Sequence, residues 1–483
     1  MKRHFIRLAG LIVVFLTLFT SSNLTYAVVS VVKCDLAKDY NIDLKDLDVI
    51  VRHWLDTCGD CDGADLDNNG TVNLADFTLF APHWQTKPGL VYLWGFIEQR
   101  WTNTMNLLTH DPAYSTPDTN YPRSITPATG KWYPYGLGWL SNPPRWGYVH
   151  WAGGYIPGSL WYLYQRTSDN TWKNWAQSWT NRLEYERTRT KDHEAGFIVP
   201  RSFGLGYKLT GNPAYKQEMI DATASIMQRY NPIVGCIQSW NKIPNPPTVD
   251  PDFTVIIDGM MVLDMVFWAS KNGGDPAWYD IAVSHANKTM QNNVRPNGSV
   301  WQAVDYDYTT GEVILKWNKQ GYNNNTTWSR GQAWGIEGFT IAYRETLDPN
   351  YLTTAKKIAN YFIDHLPSDY VPYWDFNIPE YPAAPQIKDT SAAAIAASGL
   401  LDLSTYVSGA DKEKFQNAAI NILTSLTTPD YLADGTNSMG LLLHGTGNCT
   451  KYPDLDGGEI DRSLMYGDHF FIEALMRYDA LSH

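Results

Sequence analysis

The sequence predicts an all-α protein, an (α/α)6 barrel of paired helices closed into a ring, preceded by a small EF-hand-type calcium module. Three observations carry this. From about Val91 onward apolar residues recur at helical spacing in segments parted by Gly, Pro, Asn and Asp, and these segments start near residues 93, 153, 171, 196, 212, 254, 275, 330, 350, 388, 411 and 461. Several open alike, with an Asn or Asp cap before a proline of the first turn: Gly211-Asn-Pro-Ala-Tyr215, Gly274-Asp-Pro-Ala-Trp278 and Asp348-Pro-Asn-Tyr351. These openings lie too far apart for binding solenoids, whose periods are roughly 34 to 47 residues, and their long loops suit hairpins in a ring. Ahead of them stands a different pattern, a repeat of Leu44, Asp46, His53 and Trp54 as Leu74, Asp76, His83 and Trp84.

The chain opens with Lys2, Arg3 and Arg7, then an apolar run from Leu8 to Phe19, then small residues near Thr25 and Ala27. That order is the one of a secretory signal peptide, so residues 1–27 are expected to be removed and the protein to be secreted, periplasmic or held at the cell surface. The run is shorter than the roughly 20 residues a spanning helix needs, and no membrane span is expected.

Residues 28–86 form the expected calcium module. Its second loop, from Asp65 to Asp76, places Asp65, Asp67, Asn69, Asn73 and Asp76 at positions 1, 3, 5, 9 and 12, with Gly70 at 6 and Thr71 at 7. A hard cation needs several oxygens, and the glycine permits the sharp turn between them. The first loop keeps Asp35, Asp39, Asp43 and Asp46 but has Ala37 and Tyr40 where an oxygen ligand and the glycine belong, which predicts weaker binding there. In an exported chain Cys34, Cys58 and Cys61 point to a disulfide rather than a zinc site, whereas Cys236 and Cys449 are expected to be free thiols. A short linker around Gln85 to Gly89 leads into the barrel domain, residues 87–483.

A formal net charge of −12 speaks against nucleic-acid binding, which wants a basic face. Within the barrel domain four segments hold polar groups in places that core does not explain. Asp258 ends the apolar run Val255-Ile-Ile257, where an ionised carboxylate without a partner is costly, so its pKa is expected to rise toward the proton-bearing form that general acid catalysis needs. Glu194, beside His193, is a second carboxylate for the same site. Trp328, Arg330 and Trp334 straddle a helix start, with Arg330 offering a planar fork to a carboxylate and the tryptophans walling a sugar ring. Tyr373-Trp-Asp375 with Asp389-Thr-Ser391 complete the set, and Trp240 is a further ring platform.

Taken together these segments resemble glycoside hydrolase family 88, the unsaturated glucuronyl hydrolases, over roughly residues 91 to 483. The Ile257-Asp258 run, Trp328-x-Arg-Gly-Gln-Ala-Trp334, Val371-Pro-Tyr-Trp-Asp375, Asp389-Thr-Ser-Ala-Ala393 and Tyr466-Gly-Asp468 fall in that family's order. The resemblance implies removal of a terminal 4,5-unsaturated uronic acid from lyase-generated oligosaccharides, without a catalytic cofactor, by hydration of the C4=C5 vinyl ether. It implies Asp258 as acid and base and Glu194 in the place of the family's usual second aspartate. It further implies His193, Trp151, Trp240, Lys319, Gln320, Trp328, Arg330 and Trp334 as substrate contacts. Lys319 stands where histidine is common, and the chain lacks the Ser-x-x-Ser-x-Lys arrangement associated with sulfated substrates, reading Thr446-Gly-Asn-Cys-Thr-Lys451 instead. The two calcium loops in turn resemble a dockerin, which implies a cohesin-bearing scaffold protein as partner. Competing readings are a uronate polysaccharide lyase, with His193 and Arg330 in other roles, and a non-catalytic carbohydrate-binding scaffold protein.

Overall fold

A computed structural model describes residues 44–57, 61–66, 69–80, 88–110, 121–125, 129–134, 150–241, 253–380, 386–449 and 459–481, together with Leu36. The chain divides into two compact units, Met1–Trp101 and Thr102–His483. That division falls inside a helix and not at the Gln85–Gly89 stretch. In the first unit α1 (Leu44–His53) and α2 (Leu74–Phe80) enclose a core of Val49, Ile50, Leu66, Val72 and Phe77. Cys61 is disulfide-bonded. The Asp65 loop turns at Gly70, whose φ of 87° is readily open to glycine. Asp65 accepts the backbone N–H groups of Asn69 (3.1 Å) and Gly70 (2.8 Å), and buried Asp76 accepts that of Asn73 (2.8 Å). Asp67, and Asp35, Asp39 and Asp43 of the first loop, lie outside the described residues.

Helix α3 (Pro88–His110) crosses the division; β1 (Pro122–Ile125), β2 (Trp132–Pro134), α4 (Tyr155–Thr167) and α5 (Asn170–Asn181) follow. Next come α6 (Ala195–Val199), continued through a π turn into α7 (Leu205–Thr210), then α8 (Pro213–Met227), β3 (Tyr230–Asn231), β4 (Cys236–Ile237) and β5 (Phe253–Ile256). The chain goes on through α9 (Gly259–Lys271), α10 (Trp278–Asn292), β6 (Ala303–Tyr306), β7 (Val313–Trp317), α11 (Ser329–Thr346) and α12 (Pro349–Asp364). It ends with α13 (Thr390–Ser404), α14 (Gly409–Leu426), β8 (Ser463–Leu464) and α15 (Met465–Leu481). An inner ring runs α4, α6–α7, α9, α11, α13, α15 and closes as α15 packs on α4. Outside it α5, α8, α10, α12 and α14 each pack on an inner neighbour. Burial explains the sorting. Ala-rich α13 is buried almost throughout, whereas α12 buries only a face carrying Tyr351, Ala355, Ile358 and Phe362.

Two of the three expected caps form, Asn212 accepting from Ala214 N–H (3.0 Å) and Asp348 from Asn350 N–H (2.9 Å); at the third, Asp275 accepts from Ala277 N–H (2.9 Å) in the turn before α10, which begins at Trp278 with Ala277 in the cap position. One expectation is corrected. The run before Asp258, read as a helix from near residue 254, is strand β5, which pairs antiparallel with β6 (Thr254 opposite Asp305, Val255 opposite Val304), and β6 pairs with β7. Phe253-Thr-Val-Ile256 is short and β-branched, and an apolar run of that length does not separate strand from buried helix by periodicity. The domain is therefore a helical ring with small sheets set on it. Among the described residues no helix is long and apolar enough to cross a membrane.

Candidate active site

The inner helices begin at one end of the ring, and their first residues build a pocket there. Trp151 comes from the turn leading into α4, Glu194 from the N-cap of α6, Asp258 from the N-cap of α9, and Trp328 from the N-cap of α11. Arg330 and Trp334 follow on the first turns of α11, while His193, Trp240 and Gln320 reach in from loops. Every residue expected as catalytic or as a substrate contact lines this pocket except Lys319, whereas the Tyr373–Asp375 and Asp389–Ser391 segments do not reach it. The Lys319 ammonium sits 4.9 Å from the centre of the Trp240 ring, which itself lines the pocket.

Strand β5 delivers Asp258. Paired with β6 and bonded to Trp240 through an isolated bridge at Thr254, it runs straight into the helix start, and its Ile256 lines the pocket with Asp258. Asp258 holds the N-cap position, yet its side chain makes no capping hydrogen bond, and its Oδ2 is sealed from solvent with no partner among the described residues. The structure thus removes the ordinary explanation for an aspartate before a helix. Burial pushes this carboxyl up to about 7, against a smaller opposing pull from Arg330. Glu194 is likewise an N-cap residue without a capping bond, and burial, reinforced by Asp192, pushes it up to about 8, with Asp258 adding to the rise. Two neighbouring acids both holding their protons near neutral pH is an arrangement for proton transfer. His193 stays neutral: burial pushes it down to about 3.

Aromatic rings make the walls. Trp151 packs on Tyr466 at 4.6 Å and on Phe197 at 5.7 Å, and Phe197 meets Trp334 edge-on at 5.7 Å. Trp328 folds back over its own helix because Gly331 has no side chain; a Cβ there would lie 2.7 Å from the Trp328 ring. Such a pocket is a slot for one flat, hydroxyl-bearing ring, with two protonated carboxyls at its base.

Residues 129–436 match the family model described as Glycosyl Hydrolase Family 88. The chain is 40% identical over 331 residues to the unsaturated glucuronyl hydrolase of Formosa agariphila, covering 68% of this chain and 79% of that one. It is 31% identical over 336 residues to the unsaturated chondroitin disaccharide hydrolase of Streptococcus agalactiae, covering 68% and 81%. The chain belongs to glycoside hydrolase family 88. A solved structure of an unsaturated glucuronyl hydrolase specific for heparin matches with a TM-score of 0.68 at 33% identity, over 80% of this chain and 98% of that one. Family membership makes the chain an enzyme, a glycoside hydrolase on a six-hairpin barrel, and sets aside the lyase and scaffold readings.

Within this family 88 pocket one expectation fails in a specific way. Arg330 does not hold its fork open. Its Nη1 donates to Asp389 Oδ2 (2.7 Å), to the Thr446 carbonyl (2.6 Å) and more distantly to Ser391 Oγ (3.3 Å), and its Nη2 donates to the Gly447 carbonyl (2.6 Å). The guanidinium is 1% exposed and packs against Trp328 and Tyr466, 4.5 and 5.3 Å from the ring centres. It ties the loop after His444 to the start of α11. Gln332, the other polar residue of that segment, lies in the core, bonded to Val300 N–H and to the Gly298 and Ile358 carbonyls.

A functional residue that the sequence reading passed over is Gln302. Buried beneath the pocket rim, its Oε1 accepts the backbone N–H groups of Lys319 (2.9 Å) and Gln320 (2.8 Å), and its Nε2 donates to Gln320 Oε1 (2.6 Å). Gln320 in turn donates to the Gly447 carbonyl (3.0 Å), the atom that Arg330 also holds. Two segments more than a hundred residues apart meet on one carbonyl oxygen, a join with no local sequence signal.

Proposed function

We propose that this hydrolase removes the terminal 4,5-unsaturated uronic acid from lyase-generated oligosaccharides, with Asp258 as its acid and base. The observation that carries this is the Asp258 carboxyl itself, at the base of an aromatic slot, uncapped and kept protonated near neutral pH by burial. The protonated carboxyl gives its proton to C4 of the C4=C5 bond, and positive charge develops at C5, shared with the ring oxygen. The carboxylate left behind takes a proton from the water that adds to C5, which restores the acid. The hemiketal then opens to a C5 ketone and a C1 hemiacetal, and the latter releases the shortened sugar and a linear keto-uronate. One water is consumed and the enzyme ends as it began. Glu194, bearing its own proton, hydrogen-bonds and orients without adding a second negative charge beside a substrate that already carries one. Trp151, Trp240, Trp328 and Trp334 hold the ring, with His193, Gln320 and Lys319 as polar contacts. The test is a panel of lyase-generated disaccharides followed by loss of the ultraviolet absorbance of the conjugated double bond. The reading predicts loss on at least one, whereas a gain in absorbance, the sign of a lyase, contradicts it.

We further propose that residues 28–86 are a dockerin-like calcium module of an exported protein, joined to a barrel domain spanning residues 87–483. Among the described residues no group of three or more His, Cys, Asp or Glu gathers as round a metal ion, but Asp67 is not among them and the remaining loop ligands are amide and hydroxyl oxygens. The described part fits a hard cation: buried Asp65 and Asp76 at the two ends of a loop turning at Gly70, with Asn69, Thr71 and Asn73 between. Calcium titration of the full chain, read by near-ultraviolet circular dichroism, is expected to saturate and to lose its tighter event in Asp65→Ala/Asp76→Ala. A double variant that titrates like the wild type contradicts the assignment, and retention on an immobilised cohesin tests the partner.

A further inference from the structure

A second concavity, of about 570 Å³, lies on outer helix α12 and shares no lining residue with the catalytic pocket. Its size falls within the range of small-molecule sites, roughly 300 to 1,000 Å³. Its floor is Tyr361, buried, with exposed His365 stacked on its ring at 3.9 Å and 20°. Amides stand around that stack. Asn297 spends its carbonyl oxygen on Ser299 N–H (3.1 Å) and Oγ (2.8 Å), which leaves its NH2 group for another acceptor. The side chains of Asn360 and Asn377 make no hydrogen bond to the described residues. Charge is uneven as well. Lys356 pairs with Asp411 (2.5 Å) and Asp364 with Lys414 (3.1 Å), but Lys357 has no ion pair among the described residues.

The walls are set before any ligand arrives. Gly298, at φ 92°, seats its turn directly on α12, where a Cβ would lie 2.5 Å from the Lys357 carbonyl. Arg295 ties the same turn to Thr327 Oγ1 (3.0 Å) and to the Thr326 carbonyl (3.0 Å). A flat aromatic stack, the amides of Asn360 and Asn377 with the NH2 group of Asn297 left to meet vicinal hydroxyls, and one uncompensated ammonium are what a hydroxyl-rich, singly anionic ring requires. A polyanion finds one uncompensated cation only among the described residues.

We propose that this groove is a second, non-catalytic carbohydrate site that binds a uronate-bearing stretch of an oligosaccharide. The inference does not depend on Asp258 being the proton donor. The probe is a hyaluronan decasaccharide with a saturated non-reducing end, which lacks the double bond the catalytic slot acts on, titrated calorimetrically into the full-length protein. Binding is expected to weaken about tenfold in Lys357→Ala and in Asn360→Ala/His365→Ala, the scale of one lost charge-assisted hydrogen bond. Melting temperature, and kcat and KM on an unsaturated disaccharide, are expected to stay as in the wild type. No binding by the wild type, undiminished binding in both variants, or equal binding of an uncharged maltodecaose overturns the proposal.

Discussion

Arg330 Nη1 donates to Asp389 Oδ2 at 2.7 Å, and both side chains are sealed from solvent. Asp389 is thus an ion-pair partner of the only arginine lining the pocket among the described residues. Removing one member leaves the other buried and unpaired, at a cost of roughly 3–5 kcal/mol. Asp389→Ala is therefore expected to lower the melting temperature markedly, and Asp389→Leu/Arg330→Met to lower it by less than the two single changes together. Thermal unfolding by circular dichroism reads both, and a fully additive double variant contradicts the pairing.

Gln302 holds Gln320 and the Lys319 backbone, the two residues proposed above as polar contacts to substrate. Gln302→Met keeps the volume but loses three hydrogen bonds. It is expected to raise KM about tenfold while kcat stays within about threefold, since an interaction lost equally from ground and transition states changes binding alone. Steady-state kinetics on a lyase-generated disaccharide decide this. A fall in kcat at constant KM places Gln302 in the chemistry instead.

The two raised carboxyls give a pH dependence with a definite sign. Catalysis needs Asp258 protonated, so activity is expected to decline as pH rises through about 7, and the Glu194 proton follows near 8. For stability the sign is the same: the folded state holds both protons more tightly than the unfolded chain, so this contribution is complete below the ordinary carboxyl range and lost as pH rises through about 7 to 8. Asp258→Asn and Glu194→Gln are each expected to raise the melting temperature at pH 8.5 by a few degrees and to change it less at pH 5. Variants less stable than wild type at pH 8.5 contradict the burial argument. Glu194→Gln is also expected to lower turnover and displace the alkaline limb of the pH profile.

The loop pinned by Arg330 bears on substrate choice. Thr446 spends its hydroxyl on the Lys388 carbonyl (2.8 Å) and its N–H on Asp389 Oδ1 (3.2 Å), so it offers no donor to a sulfate. Little preference is expected for sulfated over unsulfated chondroitin-type disaccharides, measured as kcat/KM. A ratio above about tenfold in favour of sulfate, or 1.4 kcal/mol of discrimination, reveals an anion site among Lys319, Asn448 and Lys451.

What the sequence disclosed, and what it hid, follow from the range of each interaction. Helix starts at Asn212 and Asp348 were legible because caps act over two or three residues. Asp258 and Glu194 were legible as carboxylates out of place in apolar or glycine-bearing surroundings. Strand β5 was hidden, because its partner β6 lies nearly fifty residues on and its apolar run is too short to show a period. The closed fork of Arg330 was hidden for the same reason: its acceptors, Asp389, Thr446 and Gly447, come from other segments, so the sequence gives the guanidinium but not what it is spent on. Gln302 is ordinary in sequence and acquires its meaning only when β6 brings it under the turn that follows β7.

The measurement that tests the account most directly is turnover by Asp258→Asn on an unsaturated disaccharide that the wild type consumes, followed by loss of double-bond absorbance. The substitution keeps shape and removes the proton that Asp258 must both give and retrieve. A general acid or base is worth roughly 10² to 10⁴ in rate, so turnover is expected to fall at least a hundredfold in a protein that folds and melts no lower than the wild type. Near-normal turnover contradicts the account, because Glu194, the other carboxylate lining the pocket among the described residues, is already engaged by Trp240, whereas Asp258 Oδ2 has no partner among them.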